Sequence, residues 1–527
     1  MTRAAFSPLA PANLAGVAIA VFLAALTLGT LAVVAVHAGG GPSVEAADWA
    51  ALRFTLLQAS LSAALSTALA IPVARALARQ SFPGRRVLIL LMGAPFILPV
   101  IVAVIGLASV YGRTGWLSSL SVWLGGPRLD IYGLTGVVLA HVFFNLPLVT
   151  RLLLQGWQAI PAEHFRLAAM LGWEDGAISR HLERPMLRQT LPGAFAMVFL
   201  LCCASFAVAL ILGGGPRATT LELAIYQAFR FDFDLAKAAF LAAAQFAICA
   251  GAALLAWRLA RPVGFGSGLD PRFVRFDGGN TSARLVDGLV LTVAALFLLV
   301  PLLAVALKGL GGFATLGPAI LPPLLRSIAV ALGSAALTLG MAIFLGGAVV
   351  RMQTTRPGTA GLAEASAYFA IAASPMVIGT GLFLVIFPLA DPARFALPLT
   401  ALVNAAMSLP FALRALLPAI RRAHSDFAPL ADSLGLTGIT RFRLVTWPRI
   451  RPEAGFATGL AAALSMGDLG VVALFADPEA ATLPLFLYRL MGSYQMDQAA
   501  AAALVLLAAS LALFWSFDQG DHHHAGT

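Results

Sequence analysis

Residues 160–172 read Ile160-Pro161-Ala162-Glu163-His164-Phe165-Arg166-Leu167-Ala168-Ala169-Met170-Leu171-Gly172. Pro161 suits the first turn of a helix, and Gly172 suits the left-handed residue just past its end. Roughly ten residues at 1.5 Å each predict a helix of about 15 Å, too short to cross a bilayer. It is amphipathic enough to lie at a surface. The design returns further along the chain. Ser425 is placed to cap a helix, Asp426 favours its N-terminus, and Gly435 follows Ala431-Asp432-Ser433-Leu434 as a second stop. A proline stands 13 residues after each glycine, at Pro185 and Pro448, and a second short helix is expected to end there.

The two copies belong to a larger duplication. Asn145-Leu146-Pro147 recurs as Ser408-Leu409-Pro410, a shift of 263 residues. Gly172, Pro185 and Ser205 recur at the same shift as Gly435, Pro448 and Asp468. Thr220-Leu221 and Tyr226 return as Thr482-Leu483 and Tyr488, at 262. Separated anchors at one offset mark a tandem repeat of one structural unit.

Composition places that unit in a membrane. Only 11% of the 527 residues are charged, against about 25% in ordinary soluble domains. Hydrophobic residues make up 60% and mean hydropathy is +0.89. Such a chain cannot cover a water-soluble surface, which excludes a soluble enzyme, and it is far too apolar to be disordered. A bilayer-crossing helix needs about 20 apolar residues. Twelve runs qualify: near 14–37, 54–77, 87–110, 133–154, 191–212 and 238–257, then 285–307, 325–349, 363–388, 396–417, 454–475 and 498–517. The expected fold is an all-α membrane protein with 12 transmembrane helices in two tandem six-helix repeats. The first repeat is expected over 1–260 with a docking loop at 156–190, and a cytoplasmic linker over 261–284. The second follows over 285–517 with its loop at 419–453, leaving a tail at 518–527. Val36-His37-Ala38 looks weakly like a cleavage site, but the first apolar run is too long for a signal peptide and is expected to stay as an anchor.

Charge placement orients the spans. With the N-terminus in the cytoplasm, 24 of the 34 basic residues fall inside, which satisfies the positive-inside rule with both termini cytoplasmic. The net charge of +10 then reflects topology and calls for no nucleic-acid partner. The two lysines, Lys237 and Lys308, lie outside any G-x-x-x-x-G-K-[ST] sequence, so ATP, if used, belongs on another subunit. Cys202, Cys203 and Cys249 sit in apolar runs without metal-ligand spacing and read as small core residues. Asp521-His522-His523-His524 is too weak a signal to assign a metal site. No recurring carboxylate pair, His/Cys cluster or nucleophile–base pair marks a catalytic residue.

The duplicated short helices suit either rest on lipid head groups or docking to one partner with matching sockets. Duplicated position, matched Gly-to-Pro spacing and the missing nucleotide site favour docking. The docking residues are Glu163, Arg166, Ala168, Gly172 and Pro185, with Asp426, Ala431, Asp432, Gly435 and Pro448. Among pathway candidates, Asp468 stands out as an ionisable group mid-run in the eleventh span, with Ser205 as its repeat mate. Structurally, it would satisfy a helix loosened by Gly467 and Gly470. Asn145, Asn404 and Ser408 are polar groups in proline-interrupted fourth and tenth spans, where helix–helix hydrogen bonding explains them equally well. Glu222, Tyr226 and Tyr488 fall on the external side, as gate or partner contacts or, for the tyrosines, interfacial anchors.

The repeated loop resembles the EAA loop of ABC importer permeases. Gly172 with Pro185, and Gly435 with Pro448, stand at that family's spacing. Ala168 and Ala431 match its second alanine, whereas Arg166 and Pro429 replace its glutamate. Val110 to Leu117, Leu139 to Gln155, Gly213 to Phe229 and Gly467 to Phe475 are similar to the fused two-half permeases of thiamine and thiamine-pyrophosphate importers. The resemblance implies a type I importer fold in a bacterial inner membrane and cargo delivered by a periplasmic substrate-binding protein. It also implies two copies of a cytoplasmic ABC ATPase subunit that hold the ATP, with no cofactor on this chain. Permeases for ferric iron or another small solute share the architecture. A 12-span secondary transporter is more distant, because it has no use for a repeated helix–Gly–Pro loop.

Overall fold

The computed structural model describes residues 11–38, 45–93, 97–213, 215, 218–259, 281–353, 355–475 and 480–518. The expected linker 261–284 falls outside these residues except for its last four, and the tail histidines fall outside as well. Among the described residues, eleven helices are long and apolar enough to cross a membrane, and a bent helix pair makes the twelfth span. In the first repeat they are Leu14–Ala38, Ala46–Arg79, Val100–Trp123, Leu134–Gln158, Asp175–Cys203 and Leu235–Leu255. In the second they are Thr281–Thr315, Pro318–Gln353, the pair Pro357–Ala370 and Pro375–Ile386, Pro392–Ser433, Gly438–Phe475 and Met496–Phe517. The chain is thus an all-α membrane protein of two tandem six-span repeats.

The repeats interlock through their first spans. The helices of the first span pack on Leu321–Gln353, Pro357–Ala373 and Pro375–Ile386 of the other repeat, and the seventh span packs on Val100–Tyr111 of the first. Small residues permit these approaches. A Cβ at Gly16 would overlap Ala348, one at Gly381 would overlap Thr30, and one at Gly106 would meet the Pro301 carbonyl at 2.6 Å.

Prolines reshape three expected elements. The run at 87–110 is not one helix: it splits into Arg85–Leu91 and Val100–Tyr111, with Pro99 at the N-cap of the latter. Proline lacks the N–H that a continuous helix needs. The ninth span bends by 90° between its halves. Ser374 precedes Pro375 there with φ of 59°, and its hydroxyl accepts from the Val377 N–H at 3.3 Å. The helices after the docking glycines do not end at Pro185 and Pro448. Each widens into one π-helical turn, Ser179–Glu183 or Phe442–Thr446, and runs on as the fifth or eleventh span. A π turn moves the carbonyl four residues before the proline away from its ring, so the chain bends without stopping.

Candidate functional site: paired docking helices and a central cavity

The two candidate docking helices stand at the ends of the fourth and tenth spans. The first is a separate helix, Ala162–Met170, with Pro161 at its N-cap. The second is not separate. The tenth span continues without a break through Ala396–Ser433, so Ser425 and Asp426 lie inside a helix and cap nothing. Ser425 instead bonds the Arg422 carbonyl and Asp426. Pro429 lies exposed inside this helix without interrupting it.

Both helices stop alike. Gly172 and Gly435 take left-handed φ values of +62° and +65°. The Gly172 N–H bonds Ala169 O at 3.1 Å and the Trp173 N–H bonds Ala168 O at 2.9 Å; the Gly435 and Leu436 N–H groups repeat both bonds, to Asp432 and Ala431. This double closure is the Schellman stop. It also accounts for the two alanines, each buried and each supplying the inner carbonyl. The outer face is apolar in both copies. Leu167 and Leu430 are 55% and 56% exposed, and Leu171 and Leu434 are 58% and 64% exposed. Arg166 is exposed and Glu163 half-buried in the first copy, whereas Asp432 pairs with Arg441 at 2.7 Å in the second.

Ion pairs tie these ends to their spans. Glu183, in the first π turn, is buried between Arg75 at 2.9 Å and the Trp157 indole N–H at 3.2 Å. Arg422 meets Glu453 and Arg421 meets Glu364, both at 3.2 Å, in the second repeat. Arg79 makes a bidentate pair with Asp287 at 2.7 and 2.9 Å, joining the second span to the seventh across the repeat boundary. Gln80 adds a bond to Asp287 at 2.7 Å, and Asp175, just past the docking glycine, lies 3.5 Å from Arg79.

Midway along the bundle, both repeats break a helix at equivalent points. The fifth span ends at Cys203 and resumes at Phe206; the eleventh ends at Met466 and resumes at Gly470. Asp468 therefore sits in a helix break rather than mid-helix, and Ser205 occupies the matching break. Broken backbone inside a bilayer needs internal partners. Gln58 donates to the Cys202 carbonyl and Gln245 to the Cys203 carbonyl, both at 2.9 Å, while Asp468 Oδ1 accepts from the Gly470 N–H at 3.1 Å. The three cysteines are free thiols buried around these breaks.

The breaks open onto one cavity of about 340 Å³. Six sequence-selected residues line it: Asp468, Ser205, Asn145, Asn404, Ser408 and Glu222. Glu222 is fully buried and not at an outer surface. It stands at the start of the short helix Leu221–Arg230, which the Thr55 hydroxyl pins by accepting from the Leu221 N–H at 2.8 Å. Ser327 holds Leu483 in the second repeat at the same 2.8 Å. Tyr226 and Tyr488 do not line the cavity, although Tyr226 packs edge-on against its Phe206 wall. Sequence reasoning missed His141, Ser465 and Pro375 in the lining. His141 was within reach, since it lies 263 residues before Asn404.

No family model matches the chain. Among curated proteins it is similar to the thiamine transport system permease protein of Brucella abortus (strain 2308), with 41% identity over 515 residues covering 96% of this chain and 94% of that protein. The protein of the same description from Escherichia coli (strain K12) is 40% identical over 88% of each chain. That from Haemophilus influenzae is 36% identical over 86% of each.

Proposed function

This chain belongs to the family of thiamine transport system permease proteins, and on that premise we propose that it is the membrane permease of an ATP-driven thiamine importer in a bacterial inner membrane. The observation that carries the cargo assignment is 41% identity over 96% of the chain to a protein of that description. In this reading a periplasmic binding protein delivers thiamine or its phosphates to the end opposite the docking helices. ATP is held on two copies of a separate cytoplasmic ATPase subunit, and this chain hydrolyses nothing. The basic end faces the cytoplasm with both termini, in keeping with its arginine excess.

Each ATPase subunit grips one docking helix through its exposed leucines and glycine stop. When the two subunits close on ATP, they draw the docking helices together. The ion pairs behind those helices pass the movement to the spans as rigid bodies, and the halves rock to open the cavity outward. ATP binding and release bias a two-state element through contacts that differ between the states. The cavity at the paired helix breaks is where cargo passes.

The test is uptake of labelled thiamine by cells lacking only this chain, with ferric iron uptake as a parallel control. Loss of thiamine uptake with iron intact, restored by the chain, is the expected result. Unchanged thiamine uptake sinks the cargo assignment and leaves the permease assignment standing.

A further inference from the structure

The cavity holds an imbalance of charge. Its lining includes two carboxylates, Glu222 from the first repeat and Asp468 from the second, and neither lysine nor arginine. Both are incompletely satisfied. Glu222 Oε1 accepts a long bond from Gln245 at 3.4 Å and the Ser374 hydroxyl lies beside the carboxyl, but Oε2 is buried without a hydrogen bond of good geometry. Asp468 Oδ1 closes the helix break, while its Oδ2 is likewise buried without a partner. Capping the broken helix, with Asn404 and the Val471 and Val472 N–H groups alongside, accounts for Asp468 Oδ1 and leaves Oδ2 without a hydrogen bond of good geometry. An unpaired carboxylate oxygen at membrane depth is costly, and such groups pair with something.

The rest of the lining indicates what that partner is. Phe144, Phe206 and Phe411 supply aromatic walls, and Asn404 and Ser408 supply neutral hydrogen-bonding groups. A volume of about 340 Å³ lies in the range of small-molecule sites. Aromatic faces attract a diffuse organic cation and the carboxylates complete its charge, whereas a metal ion would gain little from the rings. We propose that Glu222 and Asp468 together form a binding site for an organic monocation in the membrane, occupied by the thiazolium ring of the cargo as it crosses between the repeats. This inference rests on the thiamine assignment and adds the residues that recognise its charge. Glu222 comes from the first repeat, where the matching position is Pro484 in the second, and Asp468 comes from the second, where the matching position is Ser205. The site therefore forms only when the two halves meet around the cavity.

The experiment uses the full permease with its ATPase subunits in nanodiscs, without binding protein, and measures equilibrium binding of labelled thiamine. Neutral thiochrome, the fused tricyclic oxidation product of thiamine that lacks the thiazolium charge, serves as competitor. Expected results are saturable binding to the wild type, weakening of tenfold or more in Asp468→Asn and in Glu222→Gln, and near-complete loss in the double variant. Asp468→Glu retains binding, which separates charge recognition from damage to the helix break. Thiochrome fails to compete. Wild-type binding by the double variant overturns the proposal, as does equal competition by thiochrome. So does an absence of saturable binding to a wild-type complex that transports thiamine. If the wild type transports no thiamine in cells, the cargo assignment itself has failed, which is a separate result.

Discussion

The two ends of this molecule treat its internal repeat in opposite ways. At the basic end the copies share their stop: a buried alanine, a left-handed glycine, exposed leucines and a π turn before a proline recur at one offset. At the cavity the same offset pairs unlike groups, Ser205 with Asp468, His141 with Asn404 and Asn145 with Ser408. On the proposed function, a repeat stays symmetric where it meets two copies of one partner. It diverges where both halves surround a single asymmetric molecule, because that molecule offers each wall a different face.

The largest expected effect tests the symmetric end. Gly172→Glu and Gly435→Glu each place a side chain at φ near +60°, where an L residue other than glycine costs about 1–2 kcal/mol, and a charge among apolar docking contacts. Each variant alone is expected to abolish thiamine uptake while immunoblots of membranes show normal amounts. Full uptake by either would mean that one docking helix suffices and would break the symmetry argument.

A smaller effect concerns the tie between repeats. Arg79→Ala leaves Asp287 buried with Gln80 beside it, and removing one partner of a buried pair costs about 3 kcal/mol or more. The midpoint of thermal unfolding in detergent is expected to fall clearly, and Asp287→Ala to match it. An unchanged midpoint would show that the pair contributes nothing net.

Asymmetry in the cavity is sharpened by comparing Asp468→Ser with Ser205→Ala. The first is expected to lower thiamine uptake about tenfold or more, the scale of one lost charge contact at roughly 1.4 kcal/mol. The second should change it less than about twofold. Equal losses would place the two breaks on the same footing and remove the charge argument.

The smallest effect returns to symmetry. Thr55→Val and Ser327→Ala each remove one buried hydroxyl that accepts the first N–H of a short helix. Each is expected to cost about 1 kcal/mol, seen as matched small drops in the unfolding midpoint. A loss confined to one variant would show that only one of the short helices depends on its anchor.

Sequence alone carried the twelve apolar runs, the duplication and the glycine stops, since hydropathy, a repeat offset and a Schellman closure are all local properties of the chain. It misread the start of the second docking helix because Ser425 and Asp426 carry local capping signals, whereas the helix runs unbroken over 38 residues. It misplaced the ends at Pro185 and Pro448 because proline marks a bend as readily as a stop. Glu222 follows the fifth span in the chain, and only the packing of the short helix it opens brings it to the cavity. The cavity itself was a decision of tertiary structure. Its lining comes from the third, fourth, fifth, ninth, tenth and eleventh spans and from Glu222, residues up to 372 positions apart. Periodicity reports which face of a helix is apolar; only the packing of one helix on another decides which polar groups share a space, and whether a carboxylate oxygen there is left without a partner.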